Sequence, residues 1–214
     1  MRKKYLSSAD KDPAPDFVPP KHLQAMHQAI LRNFVETGQA PTAADLQMVL
    51  AHSSTEVEAM LAELTKICLY RDPVSGEILA AYPFSVKPTS HRLCLSNGQE
   101  VYAMCAMDAL GVSAMLGQPV GIYSRCAHCD APISLDVRGE TLIAMQPATV
   151  VVWYQAGADG CVPATTKCPG INFFCQAAHR AAWGATHPDS NGYELTIAKA
   201  LERGIKTFGH LLKG

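Results

Sequence analysis

The sequence predicts an α+β protein in two parts. A winged-helix-like helical domain occupies residues 21–85, and a mixed antiparallel-sheet domain occupies residues 86–214. Three observations carry this reading. Apolar residues recur at helical period three times before residue 65, and two short apolar runs around a turn follow them. Beyond residue 118, short runs rich in Val, Ile and Tyr alternate with turns. The chain then closes on two further segments of helical period.

Residues 1–20 are polar and hold Pro13, Pro15, Pro19 and Pro20, so they read as a flexible arm. Over residues 22–37, Leu23, Met26, Ile30, Leu31 and Phe34 recur at close to helical period, and Gly38 supplies the stop. Thr42 caps a helix carrying Leu46, Val49 and Leu50, and Asp45 three residues on completes a capping box. Ser53 or Ser54 caps the next helix, which turns Val57, Leu61 and Leu64 inward. Residues 69–79 read as two strands around a turn at Pro73–Gly76, and three helices with a hairpin make a winged helix-turn-helix. In the second half, residues 120–123 and 133–137 read as strands around a turn that bears Cys126 and Cys129, and 150–154 reads as a third strand. A long loop at 157–170 holds Cys161 and Cys168. Residues 177–183 read as a helix, and Ile197, Leu201, Ile205, Phe208 and Leu212 set a helical period in the tail.

Composition excludes several classes. The 214 residues are 48% hydrophobic, enough for a substantial core, and the formal net charge of -1 argues against a general polyanion binder. No apolar run follows Arg2-Lys3-Lys4, so no signal peptide is expected, and no stretch reaches the ~18 apolar residues of a membrane span. The expected compartment is the cytoplasm, where eight cysteines point to metal binding or catalysis rather than disulfides. Between residues 41 and 85, Lys66 and Arg71 face Asp45, Glu56, Glu58, Glu63, Asp72 and Glu77, a net charge of -4. DNA binding draws on cationic contacts to phosphate, so this domain is expected to bind no nucleic acid and to pack on the second half.

Cys105 and Asp108 are the most informative pair, although Cys105 alone reads as a core thiol and Asp108 alone as a surface charge or a cap. They lie three apart among good helix formers, in Tyr102-Ala103-Met104-Cys105-Ala106-Met107-Asp108-Ala109-Leu110. On a helix that spacing puts a soft nucleophile and a proton donor on one face. A carboxylate in so apolar a run needs a reason to be there. The stretch resembles the organomercurial (alkylmercury) lyases, together with three other blocks in the same order. These are Pro83-Phe84-Ser85-Val86-Lys87-Pro88-Thr89-Ser90-His91, Cys126 with Ala131-Pro132-Ile133-Ser134-Leu135, and Cys168 with Phe173-Phe174 and Trp183. Lys167, where an aromatic residue is expected, the Pro169-Gly170 pair, and the additional Cys129, Cys161 and Cys175 mark a divergent member.

The resemblance implies an α+β lyase domain that cleaves the carbon–mercury bond by protonolysis, giving a hydrocarbon and Hg(II). It implies that Cys105 and Cys168 hold mercury, either one attacking first, with Asp108 as proton donor and a further contact to the metal. Thiolates suit a soft metal. Burial among apolar residues would raise the Asp108 pKa from its reference near 3.9. No organic cofactor is implied. External thiols serve as co-substrate, organomercury–thiol adducts are the partners, and small thiols or a mercuric reductase take the Hg(II). Two other readings stay open on the residues alone: a soft-metal-binding or metal-sensing winged-helix protein without turnover, and an accessory domain with a dead pocket.

The remaining cysteines read less sharply. Cys126-Ala127-His128-Cys129 is a C-x-x-C with no second C-x-x-C beside it, so a structural zinc site is open but not favoured, and Cys126 reads as a buried thiol and Cys129 as incidental. Cys175 reads as core and Cys161 as an exposed loop thiol. None of the eight histidines shows a ligand partner in the sequence.

Overall fold

The computed structural model describes residues 18–155 and 168–213. Residues 1–17 of the arm, and the loop positions Cys161 and Lys167, lie outside the described residues. Helix α1 (Lys21–Thr37) buries Leu23, Met26, Ile30, Leu31 and Phe34 along one stripe and stops at Gly38. Helix α2 (Ala43–Leu50) starts at Thr42, whose side chain accepts from the Asp45 N–H while Asp45 accepts from the Thr42 N–H. Helix α3 (Ser54–Thr65) uses the same device with Ser53 and Glu56, which selects Ser53 as its cap. Such boxes satisfy two of the backbone donors that a helix start leaves open. Strands β1 (Leu69–Arg71) and β2 (Ile78–Ala81) form the antiparallel wing.

The wing does not end where the next part of the chain begins. β3 (Phe84–Ser85) pairs with β2 on one side and with β5 (Glu100–Ala103) on the other. β4 (Arg92–Leu95), β6 (Pro119–Arg125), β7 (Pro132–Arg138) and β8 (Thr141–Gln146) extend the same sheet in the order β1-β2-β3-β5-β4-β6-β7-β8. The packing of wing on second half is therefore backbone hydrogen bonding within one eight-stranded sheet. A separate three-stranded sheet places β9 (Val151–Gln155) between β10 (Asn172–Phe174) and β11 (Gly192–Thr196). Strands β6, β7 and β9 fall where alternation and β-branching predict them. β3, β5 and β10 span two to four residues each, too few to show a period.

Three helices complete the second half: α4 (Ala106–Leu116), α5 (Ala177–Thr186) and α6 (Ile197–Phe208). Every residue of α4 from 106 to 115 is buried. A helix apolar all round belongs inside a core, and α4 lies among β5, β6, β7, β10 and α6. Its closest neighbour is α6. A Cβ built on Gly111 would lie 2.5 Å from the Gly204 carbonyl oxygen, and one on Gly204 would lie 2.9 Å from the Met107 carbonyl oxygen. The two helices thus cross in backbone contact, which only glycine at both positions permits.

That crossing fixes the height of α4 in the core. Gly204→Ala is expected to lower the urea midpoint, with a loss of about 1–3 kcal/mol typical of overpacking. Equilibrium denaturation at neutral pH measures it, and an unchanged midpoint would show that α6 can slide without cost.

Candidate active site

Cys105 is the N-cap of α4 rather than a member of it, with extended backbone at φ -153° and ψ 175°. The helical-face argument that predicts its proximity to Asp108 is therefore corrected. The two meet because Asp108 is the third residue of the helix and reaches back to the Cys105 backbone N–H, half of a capping box. Both side chains are fully buried.

Cys168 joins them from a distant part of the chain. It opens a 3-10 turn, Cys168–Gly170, and is buried. The Ile171 N–H donates to the Cys168 carbonyl at 3.0 Å, and the Ile171 carbonyl accepts from the Ala106 N–H at 3.1 Å. One residue thus ties the turn to the start of α4. The Pro169-Gly170 pair has a local reason as well. A side chain at 170 would overlap that of Gln155, so Gly170 lets the turn lie against β9, and the Pro169 carbonyl accepts from Asn172 Nδ2 at 2.8 Å.

The result is a compact donor set. The two sulfurs and a carboxylate oxygen of Asp108 lie within 4.8 Å of one another. The Cys168 thiol sits 3.6 Å from Oδ2 of Asp108. Oδ1 is buried and has no hydrogen-bond partner among the described residues, an arrangement with a real cost in a folded core. Burial pushes Asp108 up to about 7, while hydrogen bonds from Cys105, Cys168, Tyr82 and the Cys105 backbone pull the other way. Burial also raises Cys105, partly offset by its hydrogen bond with Cys168. Cys168 lies well above the ordinary thiol range, through that bond first and burial second. At rest both thiols keep their protons, and the carboxyl is poised between its two states near neutral pH.

Tyr82 is the member that sequence reasoning missed. It lies in the turn between β2 and β3, and its hydroxyl favours the ionised form of Asp108. Burial and the charge of Asp108 push Tyr82 itself well above the ordinary phenol value. No local spacing links it to Cys105; the link is the β2-β3-β5 pairing, which sets the strand ends side by side.

A second cluster bears on two expectations. Cys126 and Cys175 are buried, as predicted, and the structure brings Cys129 and one histidine beside them. Cys126, Cys129, Cys175 and His179 bring their donor atoms within 4.8 Å of one another. The signal was present as C-x2-C followed by C-x3-H, a pairing that needs no second C-x-x-C.

The family model for alkylmercury lyase matches residues 84–209. The alkylmercury lyases of Bacillus cereus and Clostridium butyricum are each 27% identical over 167 residues, covering 78% of this chain and 73% of theirs. That of Streptomyces lividans is 30% identical over 127 residues, covering 59% of this chain and 58% of its own. A crystal structure of the mercury-bound form of MerB2 superposes with a TM-score of 0.79 at 28% identity, covering 91% of this chain and 93% of that one.

The buried carboxyl sets a stability test. Folding raises the Asp108 pKa from 3.8 to about 7, so the folded state holds this proton more tightly than the unfolded state does. Across that window the contribution of Asp108 to stability falls as pH rises, and it is fully lost above the folded value. Asp108→Asn keeps the shape and removes the ionisation. It is expected to be more stable than the parent at pH 8, by up to a few kcal/mol, with the gap closing toward pH 4. His27 and His91, both held down to about 4 by burial, titrate equally in the two proteins and cancel. Paired denaturation curves across pH measure the gap, and a gap that ignores pH would show that Asp108 does not ionise in this range.

Proposed function

The chain belongs to the alkylmercury lyase family, and on that premise we propose that it cleaves carbon–mercury bonds by protonolysis at Cys105, Cys168 and Asp108. The observation that carries the assignment is the buried set itself: two thiols and a carboxyl poised near neutrality within reach of one small ligand. A structural thiol pair has no use for a desolvated aspartate beside its sulfurs. A protonolysis site needs both a soft-metal clamp and a nearby acid.

The substrate is R–Hg–SR′, an organomercury cation carried by an external thiol. One cysteine attacks mercury, and R′SH leaves with the proton of that cysteine. The second thiol passes its proton to ionised Asp108 and its sulfur adds to mercury. With two sulfurs on the metal the carbon becomes more basic. Asp108 then delivers the proton to carbon, the C–Hg bond breaks, and R–H departs. Hg(II) stays on Cys105 and Cys168 until external thiols or a mercuric reductase take it. The balance is two thiols and one R–Hg–SR′ giving one hydrocarbon, one R′SH and one mercury dithiolate, with Asp108 regenerated. The reaction draws on these side chains and external thiol, with no organic cofactor. Tyr82, against the carboxyl, steadies the ionised form that accepts the thiol proton.

A thiol-rich reducing compartment, the cytoplasm, suits this chemistry, and no described helix is long and apolar enough to cross a membrane. The winged-helix-like part serves as a structural support that binds no nucleic acid. Of its two cations between residues 41 and 85, Arg71 is already gripped by both oxygens of Glu58 at 2.9 and 3.1 Å. Duplex DNA at physiological salt should therefore show no mobility shift, and a sequence-specific shift would reverse this role.

The decisive assay supplies phenylmercury with excess thiol and measures benzene. Cys105→Ser and Cys168→Ser are each expected to fall to background, and Asp108→Ala to lose ~10²–10⁴-fold in turnover while still binding Hg(II). Benzene at the parent rate from Asp108→Ala would mean that a thiol or water supplies the proton. Full activity in either serine variant would reject the two-sulfur mechanism.

A further inference from the structure

The proposed reaction leaves the second cysteine cluster unused. We propose that Cys126, Cys129, Cys175 and His179 bind one zinc ion in a Cys3His site that ties the β6–β7 turn to the start of α5. The donors are chemically right for it. Three thiols and one imidazole form one of the standard structural zinc sets, four-coordinate and tetrahedral. The geometry is close to that shape before any ion enters. Cys129 and Cys175 sulfurs are 3.8 Å apart, Cys126 Sγ is 3.9 Å from His179 Nδ1, and Cys175 Sγ is 3.0 Å from the same nitrogen. A tetrahedron with Zn–S bonds of 2.3 Å has edges of about 3.8 Å.

The backbone around the donors is shaped for a metal as well. The Asp130 N–H closes the Cys126 turn at 2.9 Å, with Asp130 in the left-handed region at φ 59°. His179 turns Nδ1 toward the sulfurs. Its Nε2 meets the side-chain amide of Gln176 at 2.9 Å; with the amide oxygen on that side it accepts the Nε2–H and fixes the ligating tautomer.

The position gives the ion a structural task. Cys126 and Cys129 belong to the turn at the end of β6 in the large sheet, whereas Cys175 and His179 sit at the junction of β10 and α5 beside the small sheet. A backbone hydrogen bond from the Ala127 N–H to the Phe173 carbonyl at 3.1 Å already joins turn and strand. Zinc would lock that joint, and β10 leads directly back to the turn that carries Cys168. The four donors also differ from the mercury pair in kind. Two buried sulfurs and a carboxyl suit a two-coordinate soft ion that must leave, whereas four N and S donors suit a resident tetrahedral one.

Metal analysis of protein purified under reducing conditions without chelator tests this. About one zinc per chain is expected, retained in Cys105→Ser and Cys168→Ser and lost in Cys126→Ser and His179→Ala. Cys126 is buried, so its variant can fail to fold. Cys129→Ser at an exposed position provides the folded comparison, with zinc affinity down roughly tenfold or more. Co(II) in place of zinc should give the ligand-field bands of a tetrahedral thiolate site in the parent and lose them in Cys129→Ser. Three results would overturn the site: no zinc and no cobalt spectrum in the reduced parent, a Cys129–Cys175 disulfide in that protein, or zinc that leaves with Cys105→Ser and stays with Cys129→Ser. Zinc content is read without any turnover, so this proposal and the lyase reading stand or fall separately.

Discussion

Asp108 sits in the first turn of a helix with no exposed face, and the rest of the site is arranged around the cost of placing it there. Its carboxyl has lost water on every side and recovers only part of that loss from the Cys105 N–H, the two thiols and Tyr82. Left alone in such a place, a carboxyl group simply stays protonated. With these partners it is held near the midpoint between acid and base. The same residue also closes the helix start. The group proposed to carry the proton is thus a helix cap pressed into chemical use.

Holding that helix in place falls to contacts far from the sulfurs. Gly111 and Gly204 let α4 and α6 touch backbone to backbone, which sets how deep the first turn lies. Ala106 and Ile171 join that turn to the segment after Cys168. The wing contributes through β3, which lies beside β5, the strand that leads into Cys105. The helical part and the sheet part are therefore one mechanical object. The winged-helix-like unit, through β1 and β2, forms one end of the eight-stranded sheet.

Much of this was written locally and could be read locally. The box at Thr42, the stop at Gly38 and the apolar stripe of α1 are local patterns, and all appear. Cys105 and Asp108 stand out because a charge in an apolar run is conspicuous. Cys168 became legible only through resemblance, since nothing in its own neighbourhood announces a site. Tyr82 and Ile171 were silent for a physical reason: each acts through strand or turn pairing with residues more than twenty positions away. Strands β3 and β10 are shorter than the period needed to detect them. The Cys3His cluster lies between these cases, because its two halves are local motifs but their meeting is a fact of tertiary structure.

Cys105 and Cys168 stand 63 positions apart in the chain, and this separation has a thermodynamic consequence for the product state. On the proposed mechanism, a mercury ion on both sulfurs would close a covalent loop through the folded protein, as a disulfide does. Restricting a loop of that size in the unfolded chain is worth about 4 kcal/mol in the chain-entropy picture. The enzyme would then be toughest against heat and proteases after each turnover, when it is also inactive. Whatever strips the metal must undo a staple as well as a ligand bond, and the catalytic cycle becomes a cycle of rigidity.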